Sequence, residues 1–208
     1  PFIALIISGG HTDLYLVKDF TEYEVIGRTR DDAVGESFDK VARMLDLGYP
    51  GGPIIERTAK DSTLNDINFP RPMLVRGNFD FSFSGLKTSV RNFLANNGKE
   101  INKANVAAEF QEAVLDILSF KAFQSTENSG CRNLIVAGGV AANNFLRENL
   151  IKTAEKKKVN IYFPGHHLCT DNAAMIACAA YYRYIKKEAE QNHFMDYLDL
   201  DASANLNI

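Results

Sequence analysis

Ile6-Ile7-Ser8-Gly9-Gly10-His11-Thr12 is the stretch around which the rest of the chain is organised. An apolar run from Phe2 stops abruptly at Gly9-Gly10, and a second, alternating run begins at Asp13. Paired glycines supply the positive φ values of a tight turn, so a plain hairpin accounts for the motif by itself. Glycines also let a ligand approach the backbone closely, and the Ser8 and Thr12 hydroxyls flank N–H groups that could hold an anion. The choice between the two readings rests on the remainder of the sequence.

Residues 2–8, 13–18 and 22–29 read as three short strands joined by turns, an antiparallel meander. Val34, Phe38, Val41, Ala42 and Leu45 then recur at helical spacing and form one buried face. The glycines and prolines of residues 48–53 stop that helix, and a short helix over 53–60 follows with Pro53 at its first position. Residues 61–80 read as a long connection rather than a packed element, of the kind that is functional or mobile. Leu86, Val90, Phe93 and Leu94 mark a helix ended by Gly98, and residues 106–124 a longer one closed by Gly130. The last third alternates: strand 133–137, helix 143–156, strand 160–163, and helix 171–188 capped by Thr170. The polar tail from Gln191 is expected to be loosely held.

This order defines the fold class as α/β: three antiparallel strands, a helical insertion over about residues 50–130, then alternating α/β units. It resembles one ribonuclease-H-like lobe of the actin-like ATPase (ASKHA) fold, spanning residues 1–208. Proteins of that fold place a nucleotide between two such lobes, and 208 residues leave room for one.

Composition narrows the partners. With 46% hydrophobic and 24% charged residues, the chain reads as a soluble globular protein with a sizeable core. A net charge of -3 removes the global signature of a nucleic-acid binder, so such a partner needs a local patch or another subunit. Cys131, Cys169 and Cys178 form no CxxC pair and no even-numbered framework, which fits reduced thiols in the cytoplasm. The apolar start lacks a basic leader and is too short to span a bilayer, so no membrane partner is expected. A chain that opens on a core strand without an initiator Met suggests a piece of something longer.

Val136-Ala137-Gly138-Gly139-Val140-Ala141-Ala142-Asn143 is a strand, a glycine pair, small residues and a helix start. It serves as a close packing turn, or as an anion site with room for a flat ring. The two readings are even for this motif taken by itself. With Gly9-Gly10 in the same chain, nucleotide binding is the better one. Asp39 stands where it could pair with Arg43 one turn on, or accept hydroxyls of a ligand held by the neighbouring glycines. Gly51, Gly52 and Glu56 could line the same cleft. Asp171 opens the last helix, where an acid complements the dipole or serves as a metal ligand. No HExxH or HxxxH pair is present, so the chain does not build a conventional hydrolytic metal site by itself. Lys152, Lys156, Lys157 and Lys158 crowd one helix end, where dipole complementation is the simpler role and phosphate contact the alternative.

Six ordered blocks, spread along nearly the whole chain, carry a family resemblance. They are Ile7-Ser8-Gly9-Gly10-His11-Thr12, residues 32–40, Tyr49-Pro50-Gly51-Gly52-Pro53, residues 81–88, residues 137–143 and residues 169–177. In these the chain resembles the bacterial tRNA N6-adenosine threonylcarbamoyltransferase (TsaD) family, formerly called O-sialoglycoprotein endopeptidases or glycoproteases. The resemblance implies transfer of a threonylcarbamoyl group from threonylcarbamoyl-adenylate to N6 of adenosine 37 in tRNA. It implies that Ile6, Ile7, Ser8, Gly9 and Gly10 hold the acyl-adenylate (or ATP/ADP), with Asp39 and Gly52 at its ribose and Glu56 adjacent. Gly138, Gly139 and Asn143 would lie by the nucleotide, and Asp171 would bind a divalent metal, Fe2+. Partner subunits TsaB and TsaE, and a cytoplasmic setting, are implied as well. The family's other two metal ligands belong to an HxxxH motif in a preceding lobe that has no counterpart here. The expectation is therefore a C-terminal lobe with an incomplete metal site, inactive in isolation. His11, offsetting charge on the leaving adenylate, is our own addition. A sugar- or acetate-kinase-like ATP-binding lobe and a non-catalytic scaffold are the competing readings. A metallopeptidase is disfavoured by the absence of a zinc-protease motif.

Overall fold

A computed structural model describes residues 1–63, 67–98 and 101–190, with side chains to residue 186. Five strands form one sheet in the order β3-β2-β1-β4-β5. They are β1 (Phe2–Ile7), β2 (Thr12–Asp19), β3 (Glu22–Arg28), β4 (Asn133–Ala137) and β5 (Asn160–Tyr162). β1 pairs antiparallel with β2 and parallel with β4, while β2 pairs antiparallel with β3 and β4 parallel with β5. The unbroken apolar run of β1 follows from this central place. Ile3, Leu5 and Ile7 are fully buried and Ala4, between them, is buried as well, so both faces of the strand are covered.

The described residues form six α-helices: α1 (Val34–Met44), α2 (Gly51–Ala59), α3 (Ser84–Asn97), α4 (Lys103–Ser129), α5 (Asn144–Lys157) and α6 (Ala173–Glu190). The core joins Ile3, Leu5, Ile7 and Leu14 of the sheet to Phe38 of α1 and Phe110, Val114 and Ile117 of α4. Phe38 meets Phe110 edge-on at 5.1 Å, and each buried ring of this kind contributes roughly 1.5–3 kcal/mol through the apolar area it removes from water. Two compact units are distinguished, residues 1–171 and 172–208. The first holds everything described so far up to β5, and α6 belongs to the second. No helix among the described residues is long and apolar enough to cross a membrane.

Three helix starts differ from the sequence expectation, each because the cap lies outside the apolar stripe. α2 begins at Gly51 rather than Pro53, since the Asp39 carboxylate accepts from Gly51 N–H at 2.7 Å. α4 begins at Lys103 under the Asn102 side chain, which accepts from the N–H groups of Ala104 and Asn105. α6 begins at Ala173, and Asn172 rather than Thr170 accepts from Met175 N–H at 3.0 Å. The tail from Gln191 lies outside the described residues.

The long connection before α3 is irregular but not loose. Phe69 is buried, and its N–H donates to Glu109 of α4. The Arg71 guanidinium reaches Glu109 and Asp116 of the same helix. Lys121, fully buried in α4, donates to the carbonyls of Met73 and Asn78. Burial pushes its ammonium below the usual lysine range, an effect the Asp80 charge partly offsets. Residues 79–83 then run beside β3, exchanging hydrogen bonds between Phe81 and Arg28 and Arg30, so that edge of the sheet is covered.

Two adjacent acids tie the amino ends of α1 and α3 together. Asp31 accepts from Phe83 N–H and Ser84 N–H and from the Ser82 hydroxyl, which caps α3 from a distance. Asp32 is half-buried and takes Lys40 of α1 and Lys87 of α3. Burial by itself raises the Asp32 carboxyl, but hydrogen bonds and charge from the two lysines outweigh it and hold the group below its ordinary value. A carboxyl depressed in the folded state contributes stability above its unfolded pKa of about 4 and loses it as pH falls through the folded value. Asp32→Asn is therefore expected to lower the denaturant midpoint at pH 7. The gap from wild type should narrow in unfolding curves taken below about pH 4. A gap independent of pH would remove the ion pairs as its cause.

Candidate functional site

The register of β1 against β4 sets Ile6 opposite Ala137. Both strands run the same way, so the Ser8-Gly9-Gly10 bend and the Gly138-Gly139 bend leave the sheet side by side. In open α/β sheets the crevice outside the carboxyl ends of the strands is where ligands bind. The second bend presses on the first. Gly138 has φ +99, and a Cβ there would run into the carbonyl of Ile7. α1 closes in from another direction: Gly35 N–H donates to Ser8 O at 3.1 Å, with no space between for a side chain. α2 is set by Gly51, which lies on the backbone of Phe38 and Asp39.

These close approaches divide the glycines into two groups. Gly35, Gly51 and Gly138 are demanded by packing, because any Cβ would overlap a neighbouring backbone. Gly9, Gly10, Gly52 and Gly139 are not: each faces open space, and none has a positive φ. Neither turn geometry nor internal contact accounts for the second group, which is what a surface approached by a ligand looks like.

The side chains around these bends are partly committed. The Ser8 hydroxyl accepts from the N–H groups of Gly10 (3.3 Å) and His11 (3.0 Å), and the Thr12 hydroxyl accepts from Val34 N–H at the start of α1 (2.8 Å). The two hydroxyls expected to flank an anion thus brace the bend and α1 instead. Ile7 is buried, so it can meet a ligand only through its backbone, while Ile6 is half-buried and the His11 side chain is exposed. Among the described residues Asp39 pairs with neither Arg43 nor a hydroxyl: one oxygen holds Gly51 N–H, and the other makes no such bond. Glu56 accepts from Asn144 N–H at the first residue of α5 (3.0 Å). Asn143 is buried, caps α5 by accepting from Leu146 N–H, and donates to Gln111 of α4. Beside Glu56 and Asn144 lies a cavity of about 230 Å³ between α2, α4 and α5, lined also by Lys60, Gln111, Phe145 and Glu148.

Asp171 is exposed. Among the described residues no group of three or more His, Cys, Asp or Glu side chains is placed to hold a metal ion, so these residues do not by themselves fit the divalent metal that the resemblance implies.

Arg147 is the residue that the sequence reading passed over. Its guanidinium donates to Ala141 O, Pro164 O and Cys169 Sγ and stacks on Phe163 with its carbon 4.8 Å from the ring centre. It thereby couples the Gly138-Gly139 turn to the loop that leads to Asp171. Its hydrogen-bonding partners are two backbone carbonyls and a thiol, none of which leaves a pattern in the sequence.

A family model described as tRNA N6-adenosine threonylcarbamoyltransferase (TsaD) matches residues 1–178. A curated protein of that name from Clostridium beijerinckii is 48% identical over 212 aligned positions, covering 100% of this chain and 60% of the relative. One from Kosmotoga olearia is 55% identical over 182 positions, covering 87% of this chain and 54% of the relative. The chain thus spans less than two thirds of these relatives. Among solved structures, full-length HypF in its phosphate- and nucleotide-bound form superposes with a TM-score of 0.71 at 12% identity, over 88% of this chain and 39% of that one. HypF from T. kodakarensis gives 0.60 at 18% identity, over 81% and 21%. These last two likenesses concern the fold, and they agree with the ribonuclease-H-like class expected from the element order.

The division of the glycines predicts opposite outcomes at neighbouring positions. Gly138→Ala should cost about 3 kcal/mol or more in urea unfolding, from backbone overlap and a positive φ. Gly139→Ala should stay within about 0.5 kcal/mol of wild type. Equal losses at the two sites would mean that packing accounts for both.

Proposed function

Since the chain belongs to the tRNA N6-adenosine threonylcarbamoyltransferase (TsaD) family, we propose that it carries the adenylate-binding part of a threonylcarbamoyl transfer to N6 of adenosine 37 in tRNA. The observation that supports this best is the set of open glycines at the carboxyl ends of β1 and β4, beside two carboxylates with spare acceptor capacity.

In this reading the backbone at Gly9, Gly10 and Gly139 receives the acyl-phosphate, at short range and by hydrogen bonding. The bonds from Gly10 and His11 to Ser8 Oγ are exchangeable for bonds to a phosphate oxygen. The second oxygen of Asp39 and that of Glu56 accept the ribose hydroxyls, and the cavity beside Glu56 takes the base against Phe145. Transfer itself is acyl substitution. The N6 amine attacks the carbamoyl carbon, the bond from that carbon to the phosphate oxygen breaks, AMP leaves with the electron pair, and an N6 proton passes to solvent. The exposed His11 stands at the bend, where a cation would offset charge growing on the leaving phosphate. Asp171 is the one position the resemblance assigns to a metal, Fe2+; a lone carboxylate is not a metal site, and no step here runs through one. Partners TsaB and TsaE, a cytoplasmic location and dependence on a further lobe belong to the same reading.

Isothermal titration with a non-hydrolysable threonylcarbamoyl-adenylate analogue, and separately with ATP and AMP, tests this. Binding by the wild type should weaken at least tenfold in Gly139→Val and in Asp39→Asn, with thermal unfolding of Gly139→Val unshifted. Glycine-bend variants that bind the analogue as tightly as wild type would overturn the assignment of the bends.

A further inference from the structure

At the opposite end of β4 and β5 the surface changes character. Arg132 enters β4, and its carbonyl accepts from Asn160 N–H at 2.7 Å, at the entry to β5. Two residues before Asn160 stands Lys158, in the left-handed conformation that ends α5, preceded by Lys157, Lys156 and, one turn back, Lys152. All five cations are exposed. Glu148 and Glu155 lie one turn to either side of Lys152 along α5, and Lys157 pairs with Glu127 of α4 at 2.7 Å.

Folding does not account for this concentration. One or two cations in the last turn satisfy the helix dipole, and Lys157 has its own partner on α4. Lys152 and Lys156 lie one turn apart on the same face, where like charges repel. Arg132 is not on a helix at all. Lys18, Arg30, Lys40, Arg71 and Lys87 are taken by carboxylates, whereas among the described residues no ion pair holds Arg132, Lys152, Lys156 or Lys158. A chain of net charge -3 thus places five exposed cations, one of them paired, about the entries to β4 and β5.

We propose that Arg132, Lys152, Lys156 and Lys158 form a contact surface for the phosphate backbone of an RNA. The proposal rests on the reading that the glycine bends serve a transferase acting on tRNA. β4 has five residues, so patch and bends are separated by about 17 Å along the strand. An RNA that offers one unstacked base to the bends would have its backbone within reach of the patch, which positions the molecule without reading its sequence.

The test is fluorescence anisotropy of a labelled tRNA transcript between 50 and 200 mM salt (about the range over which counterion release is measured). The full chain is compared with the variant R132Q/K152Q/K156Q/K158Q, which leaves Lys157 on Glu127. Each phosphate contact contributes roughly 0.7–0.9 to the slope of log K against log salt, so the variant should lose about 3 from that slope. It should also bind at least tenfold more weakly at the low-salt end, with acyl-adenylate analogue affinity and circular dichroism unchanged. Identical slopes overturn the proposal while leaving the adenylate site intact. No binding of tRNA by the wild type at low salt overturns it too. With labelled polyglutamate titrated in parallel, a variant that keeps the tRNA slope and loses affinity for polyglutamate alone overturns the RNA and assigns the patch to an acidic protein. A patch-dependent slope without any analogue binding sustains the patch and sinks the transferase reading.

Discussion

The pairing of β1 with β4 is the constraint on which the rest of the molecule depends. Ile6 stands opposite Ala137, and Gly138 lies directly on the carbonyl of Ile7. β1 has an antiparallel neighbour on one side and a parallel neighbour on the other, so two connections of different kinds must leave one edge of the sheet. One is a tight bend into β2, and the other is a turn into the helix that follows β4. Backbone groups at such a divergence cannot all be spent on the sheet ladder. A register slip of one residue would turn the buried side chains of β4 to its other face and separate the bends.

Behind this edge the backbone contacts are unusually close. Gly35 against Ser8, Gly51 against Asp39 and Gly138 against Ile7 bring α1, α2 and the second bend into direct main-chain contact with their supports. Contacts with no side chain between them have little freedom to shift. The irregular segment before α3 is fastened in a different way, by Arg71 and Lys121 reaching backbone and carboxylate groups over long sequence separations. A site assembled from bends and helix starts is held accurately only when the elements carrying it are fixed in this manner.

Much of this was legible in the sequence, and what escaped shares a physical cause. The meander, the alternating last third and both glycine bends are local patterns of period and residue type, and the structure has them where they were expected. The starts of α2, α4 and α6 were displaced because their caps, Asp39, Asn102 and Asn172, are polar and lie outside the stripe that periodicity detects. The connection before α3 read as an unpacked segment because its anchors on α4 are 38 to 48 residues away, and a lysine bound to carbonyls looks like any other lysine. The same reason hid Arg147. At the site itself residue types were legible but their availability was not. Ser8, Thr12 and Asn143 stand where the motifs put them, yet their side chains brace the backbone.

That commitment bears on how the cleft would tell one ligand from another. The candidate side chains with capacity to spare, Asp39 and Glu56, are acidic, and bare electrostatics would repel an adenylate from them. Attraction must then come from main-chain N–H groups at hydrogen-bond range, where geometry matters more than net charge and salt screens little. The carboxylates favour a ligand that brings hydroxyls to them and disfavour one that brings a second phosphate. On the proposed reading the two ends of the sheet divide recognition between them. The carboxyl ends select a small molecule by the fit of its donors and acceptors, and the amino ends hold a polyanion by charge that salt can dissolve. Arg132 and the lysines of α5 stand at the far end of β4 from the bends, so the charge that holds the polyanion does not compete for the small ligand.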